Sequence, residues 1–428
     1  MSGPGSSPAT GRSDQVPTSS GIDEAANRHD GEQLLTSSGI EEAAHHRQHA
    51  QLLKWAEVDA EAIRHNVDVI RRVVGDGVEV MAMVKADGYG HGARLAAAMA
   101  LEGGASWLGV SCAEEALQLR ADGFTAPLLN VGWTDPADLA ALVRAGVDLT
   151  AWEADQVQAA AAAAGRHPAR LHLKIDSGMG RLGAVPEAVA ELAAAVERAG
   201  ARVEPVAAFT HFANAEADAE YTLVQDRVFL VAVGGLRRRW PDLLLHAANS
   251  AAALGLPETR HDLVRCGIAI YGYAPAGTEG AAELRPAMSV RARVTQVKTV
   301  RPGQSVGYGR TWVAEHETRV AAIGAGYGDG VQRAQSNRGS VLVGGRRCPI
   351  IGRVSMDQLT ADVSLVDAVR PGDEAVLIGR QGNEWLGADE VGAAAGTISY
   401  EVLCAVSARV PRIPVGIRES SNSTPARR

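Results

Sequence analysis

Short apolar runs recur at 78–84, 107–110, 127–131, 147–151, 171–175, 205–209, 243–246 and 263–271. Continuous runs of this length predict strands buried on both faces, as parallel sheets require. The stretches between them are rich in Ala, Leu, Glu and Arg at helical spacing, for example 113–119, 153–164 and 186–199. Eight such alternations in roughly 200 residues predict an α/β fold of the (β/α)8 barrel type, with functional side chains at the strand ends. After about residue 286 the alternation stops. The segments 289–300, 318–324, 340–343 and 374–378 alternate or run apolar, and Arg-Pro-Gly turns fall at 301–303 and 370–372. A β-rich second domain is expected there. The predicted organisation is a leader at 1–53, a barrel at 54–285 and a C-terminal β-rich domain at 286–428.

The leader has its own pattern. Residues 18–35 (TSSGIDEAANRHDGEQLL) are followed directly by 36–53 (TSSGIEEAAHHRQHAQLL), a tandem repeat of period 18. Two copies with few apolar residues cannot build a core, so a mostly disordered segment is expected. His45, His46 and His49 lack an accompanying carboxylate or cysteine pattern and read as solvated side chains; no metal site is expected.

Composition narrows the function classes. Lys and Arg number 42 against 50 Asp and Glu, a net charge of −8, with no long basic run. That argues against a nucleic-acid surface and for a small-molecule substrate. The four cysteines (Cys112, Cys266, Cys348, Cys404) are widely spaced, which suggests neither a disulfide framework nor zinc. No stretch reaches the roughly 20 apolar residues of a membrane span, and a cytoplasmic location is expected.

The chemistry sits at the predicted strand ends. Lys85 is one of four lysines in the chain and closes the first run, in Ala-Met-Val-Lys-Ala-Asp-Gly-Tyr-Gly-His-Gly at 82–92. A Schiff base needs an amine that can lose its proton, which lysine does when desolvated and arginine does not. Gly88, Gly90 and Gly92 let backbone amides approach an anion, and the Tyr89 hydroxyl can donate to a phosphate oxygen. Taken alone, the same residues also suit an ordinary strand end and glycine-rich loop. Lys174 and Arg181 lie in and beyond the fifth run, His211 follows the sixth, Asn249 and Ser250 follow the seventh, and Arg265 and Gly267 belong to the eighth. Singly, several suit helix caps or ion pairs; together they suit one mouth.

The segment around Lys85 resembles the cofactor-lysine segment of the alanine racemases, enzymes that use pyridoxal 5'-phosphate (PLP). The resemblance extends from about residue 55 to about residue 414. It implies that Lys85 carries the cofactor and that Tyr308, in Val-Gly-Tyr-Gly-Arg-Thr, is the second catalytic base. Arg181 in Lys-Ile-Asp-Ser-Gly-Met-Gly-Arg would approach the substrate carboxylate, with Lys174 a candidate for carbamylation. His211 would link a ring-side arginine, Arg265, to the catalytic tyrosine. Tyr89, Asn249, Ser250, Gly267 and Ile268 would hold the phosphate and neighbouring parts of the cofactor. Tyr327, Met356, Asp357 and Tyr400 would line the substrate pocket and its mouth, with Arg333, Arg353 and Asp218 in a charged outer layer. A head-to-tail homodimer is implied, Tyr308 acting across the subunit boundary, as is packing of the strand around 56–59 with the second domain.

Racemisation removes the α-proton from one face and returns one on the other, so two bases must flank a planar carbanion. The resemblance assigns the D-enantiomer to Lys85 and the L-enantiomer to Tyr308. A phenol, with an ordinary pKa of about 10, needs nearby positive charge, for which His211 and Arg265 are the expected sources. Ser355-Met356-Asp357 departs from the Cys-Met-Asp common in the family. Alanine racemisation supplying D-alanine for peptidoglycan is the expected function, with a broader racemase accepting serine as the alternative. A PLP decarboxylase of basic amino acids fits less well, because it needs an acidic residue where Arg265 stands. A non-enzymatic PLP carrier lacks the second domain and Tyr308.

Overall fold

The computed structural model describes residues 52–274, 278 and 283–417. The expected leader repeat, with His45, His46 and His49, lies outside the described residues. The first described strand, β1 (Lys54–Asp59), ends on an Asp59 carboxylate that accepts the Ala62 N–H at 2.9 Å. That cap starts the helix Ala60–Val74, whose buried stripe includes Ile63, Val67 and Ile70.

Eight parallel strands follow: β2 (Glu79–Met83), β3 (Trp107–Val110), β4 (Leu128–Asn130), β5 (Asp148–Ala151), β6 (Ala169–Lys174), β7 (Val203–Phe209), β8 (Leu244–His246) and β9 (Leu263–Cys266). Their order, β8-β7-β6-β5-β4-β3-β2-β9, is that of a barrel with one seam between β8 and β9. Two backbone hydrogen bonds bridge the seam, Asp262 N–H to Leu245 O at 3.1 Å and Arg265 N–H to Ala248 O at 2.9 Å. Every predicted run therefore overlaps a barrel strand. The last is shorter than expected, because 263–271 is not one strand. It stops at Cys266, and Ile268–Tyr271 forms a 3-10 turn. The Ser250 hydroxyl accepts the Gly267 and Ala269 amides at 3.0 and 3.3 Å, which draws the backbone off the ladder. The helices sampled in the sequence are Ala113–Ala121, Ala154–Ala163 and, after a short 3-10 turn, Val189–Ala199.

The C-terminal half forms a nine-stranded sheet around the long strand β10 (Met288–Val300). β10 pairs antiparallel with Thr318–Ile323, with Glu374–Gln381 and with β1. β1 also pairs in parallel with Arg412–Val415, so it belongs to this sheet and not to the barrel. One continuous apolar core runs through both parts. Among the described residues no helix is long and apolar enough to cross a membrane.

Candidate active site

The strand ends of the barrel open into a cleft of about 500 Å³. Its walls carry Lys85, Tyr89, Lys174, Arg181, His211, Asn249, Ser250, Arg265, Gly267, Ile268 and Tyr400. The other sequence-derived candidates, Tyr308, Tyr327, Met356 and Asp357, do not line it. Tyr308 is 71% exposed and stands on a turn packed on Arg353, where a side chain at Gly309 would press against the guanidinium. The Tyr327 and Met356 turns are bonded to each other: Tyr327 N–H donates to Ser355 O and Gly328 N–H to Met356 O, both at 2.9 Å. Arg409 braces the pair, reaching Asp357 at 2.6 Å and Asp329 at 3.3 Å, and Asp329 also meets Lys54 at 2.7 Å.

Lys85 comes one residue after Val84, whose N–H continues the β2 ladder to Gly109 O at 2.8 Å. The next residues coil the wrong way for L-amino acids: Ala86 (φ 51, ψ 51), Asp87 (φ 51, ψ 49) and Gly88 (φ 62, ψ 43) are left-handed, and Tyr89 has φ 51. Burial and the Arg181 charge lower the pKa of the Lys85 amine, with Glu115 opposing. Lys174 is pushed down to about 7, chiefly by burial and then by Arg265 and Arg181, and its Nζ lies 4.2 Å from the centre of the Phe209 ring.

Gly267 brings Tyr89 and Ser250 together in the cleft wall, its N–H donating to the Ser250 hydroxyl at 3.0 Å. A side chain at position 267 would overlap the Tyr89 hydroxyl, so only glycine allows this approach. The Tyr89 ring stacks on Tyr271 with centroids 5.1 Å apart. Tyr400 donates its hydroxyl proton to Glu216 at 2.8 Å.

Arg265 is the most heavily bonded side chain of the site. Its Nη1 reaches His246 Nδ1 and His246 O, each at 3.0 Å, and its Nη2 reaches Thr210 O at 2.7 Å, Ala247 O at 3.0 Å and His211 Nδ1 at 3.2 Å. Both terminal nitrogens are thereby committed, and Nε is the guanidinium nitrogen these bonds do not use. Burial lowers the guanidinium to about 10, so it stays charged near neutrality. Burial and Arg265 hold His211 well below its usual pKa. This corrects one expectation: His211 is neutral and supplies no positive charge, which leaves that role to Arg265.

Behind Arg265 runs a buried chain that the sequence reading missed. His246 Nε2 meets His172 Nδ1 at 2.9 Å, His172 Nε2 meets Asp148 Oδ2 at 3.1 Å, and Asp148 Oδ1 meets Arg170 Nε at 2.9 Å. The available signal was Arg170, His172 and Lys174 at alternate positions of one strand, which places all three on one face.

Comparison with known proteins agrees with this geometry. The family "Alanine racemase, N-terminal domain" matches residues 58–275, and "Alanine racemase, C-terminal domain" matches 287–414. The chain is 43% identical to the alanine racemase of Desulforamulus reducens over 370 residues, covering 85% of this chain and 99% of that one. Identity to the alanine racemase of Salinispora arenicola is 45% over 367 residues, covering 83% and 96%. Among solved structures, the alanine racemase from D-cycloserine-producing Streptomyces lavendulae superimposes with a TM-score of 0.81 at 38% identity, covering 85% and 97%. That of Streptomyces coelicolor gives 0.82 at 36% identity, covering 86% and 99%.

Proposed function

The chain belongs to the alanine racemase family and interconverts L- and D-alanine, and we propose that it does so with PLP in the barrel cleft, between Lys85 of one subunit and Tyr308 of a second. The family is PLP-dependent. The donor set supports PLP here: a desolvated lysine, the buried Arg265 guanidinium, and Tyr89, Asn249, Ser250, Gly267 and Ile268 line the same cleft. The single observation that carries the reading is the overlap a side chain at Gly267 would make with the Tyr89 hydroxyl, a close approach that suits a phosphate cradle. When bound, PLP supplies the electron sink that makes an amino acid's α-proton removable.

The rest is done by side chains. Lys85 takes or returns the proton on one face of Cα, in the D-direction, helped by the desolvation that lowers its pKa. Tyr308 serves the other face. Its exposure, and its distance in the chain from the cleft walls, support a composite site in which the C-terminal domain of a partner covers the mouth. Tyr327, Met356 and Asp357, mutually braced on the same domain, would arrive with it and narrow the pocket around a small side chain. Arg181 binds the substrate carboxylate. Carbamylation of Lys174, favoured by an amine pushed down to about 7, gives Arg181 an anionic partner. Arg265 would hold the ring nitrogen of PLP, and because a guanidinium does not readily release its proton it would restrain transamination. The D-alanine so formed serves peptidoglycan synthesis.

Borohydride reduction of the PLP-loaded enzyme, followed by peptide mass mapping, tests the cofactor assignment. The added pyridoxyl mass is expected on the peptide containing Lys85. Label on Lys174, or on neither lysine, would contradict it.

A further inference from the structure

Nothing in the roles assigned above explains what keeps the chain left-handed directly after Lys85. A left-handed turn costs an L-residue about 1–2 kcal/mol, and Ala86 and Asp87 both adopt it. The far side of the turn is held locally: Gly90 N–H donates to Ala86 O at 3.0 Å, Gly92 N–H to Asp87 O at 2.8 Å, and Asp87 Oδ1 accepts the Ala93 N–H at 2.8 Å. On the lysine side, the Ala86 N–H goes to a side chain from another element. Oε1 of Glu115, in the first turn of the helix Ala113–Ala121, accepts it at 2.6 Å. Oε2 of the same carboxylate accepts the Ser111 N–H at 2.9 Å, just beyond β3.

We infer that Glu115 is a positioning residue for Lys85, its carboxylate acting as a strut between the ends of β2 and β3 that holds the left-handed turn and so aims the lysine into the cleft. A carboxylate suits this task because both oxygens accept. The carboxamide of Glu115→Gln accepts on one oxygen only and turns an NH2 toward the other amide, so one of the two N–H groups loses its partner. Glu115 lies outside the cleft walls. Its loss therefore misdirects Lys85 without emptying the substrate site.

The inference is tested by amide hydrogen exchange of segment 82–92 in both apo and PLP-loaded protein, comparing wild type with Glu115→Gln and Glu115→Ala. Exchange there is expected to quicken by about tenfold or more in the variants, as loss of a charge-assisted hydrogen bond implies, with the segments of β5 to β8 unchanged. A second readout rests on the two-base reading. With α-deuterated substrates, the isotope effect is expected to rise from D-alanine and fall from L-alanine, because only the Lys85 face is slowed, with KM within about twofold. Unchanged exchange in segment 82–92 of both variants would overturn the strut. Faster exchange with isotope effects moving in parallel from both enantiomers would overturn its role in aiming Lys85. The apo arm does not involve catalysis, so failure of the two-base reading leaves it decisive.

Discussion

Nη1 of Arg265 lies 3.0 Å from Nδ1 of His246, and this contact fixes the protons of a buried chain. A guanidinium only donates, so Nδ1 of His246 accepts and its Nε2 carries the hydrogen. His246 therefore donates to Nδ1 of His172, and Nε2 of His172 donates to Asp148. The carboxylate that ends the chain stands two imidazoles away from Arg265 and is paired with Arg170, which keeps an acid out of reach of the cleft.

Asp148→Asn should therefore reach beyond β5. Asp148 is buried but Arg170 is 39% exposed, so the loss is that of a buried acceptor, about 1–3 kcal/mol, which urea unfolding at neutral pH should register. Burial raises the Asp148 carboxyl, but the hydrogen bonds from His172 and Arg170, with the Arg170 charge, outweigh it and hold the group below the usual carboxylate range. A depressed carboxyl contributes stability above its unfolded pKa of about 3.9 and loses it as pH falls through the folded value. The acid limb of the stability curve should be flatter in Asp148→Asn; equal slopes would count against the chain.

Lys174 predicts a pH dependence of the same sense in a higher window. Its folded pKa of about 7 lies below the unfolded value of about 10.4. The unfolded state then binds more protons between these values, so stability rises with pH across that window in carbonate-free buffer. Lys174→Met should remove this rise. With labelled bicarbonate, a carbamate carbon signal should appear in wild type and be missing from Lys174→Met. Its persistence in the variant would reassign it to another amine.

Gly267→Ala forces a methyl group against the Tyr89 hydroxyl. Affinity for PLP should fall by at least about tenfold, the equivalent of some 1.4 kcal/mol of overpacking. Titration of the apoenzyme followed by cofactor absorbance measures it. Wild-type affinity would mean that the phosphate lies elsewhere.

A composite site makes inactive subunits complementary. Lys85→Ala and Tyr308→Phe homodimers, mixed under conditions of subunit exchange, should regain about a quarter of the wild-type sites, because half the dimers are mixed and each has one intact site. No regain, once mass spectrometry has established exchange, would put both bases in one chain.

The eight barrel strands were legible because parallel strands buried on both faces must be apolar along their length. Residues at their ends, Lys85, Lys174, His211 and Arg265 among them, were legible for the same reason: polar groups interrupt apolar runs there, and the structure gathers them in one cleft. The pairing of β1 with β10 and with Arg412–Val415 has no local signal, since more than two hundred residues separate the partners. Ala86 and Asp87 gave no sign of their left-handed backbone, because residues other than glycine adopt it only where distant groups such as Glu115 hold them. Tyr308 and Tyr327 could be named from their motifs, but the chain's own fold does not carry them to Lys85.

The central claim, two bases on opposite faces of one carbanion, is tested most directly by NMR in deuterated water with L-alanine. α-Deuterium incorporation and chiral product would be followed together for wild type, Lys85→Ala and Tyr308→Phe. Wild type should form deuterated D-alanine, and both variants should lose inversion; exchange with retention in wild type, or full racemisation by Tyr308→Phe, would contradict the account.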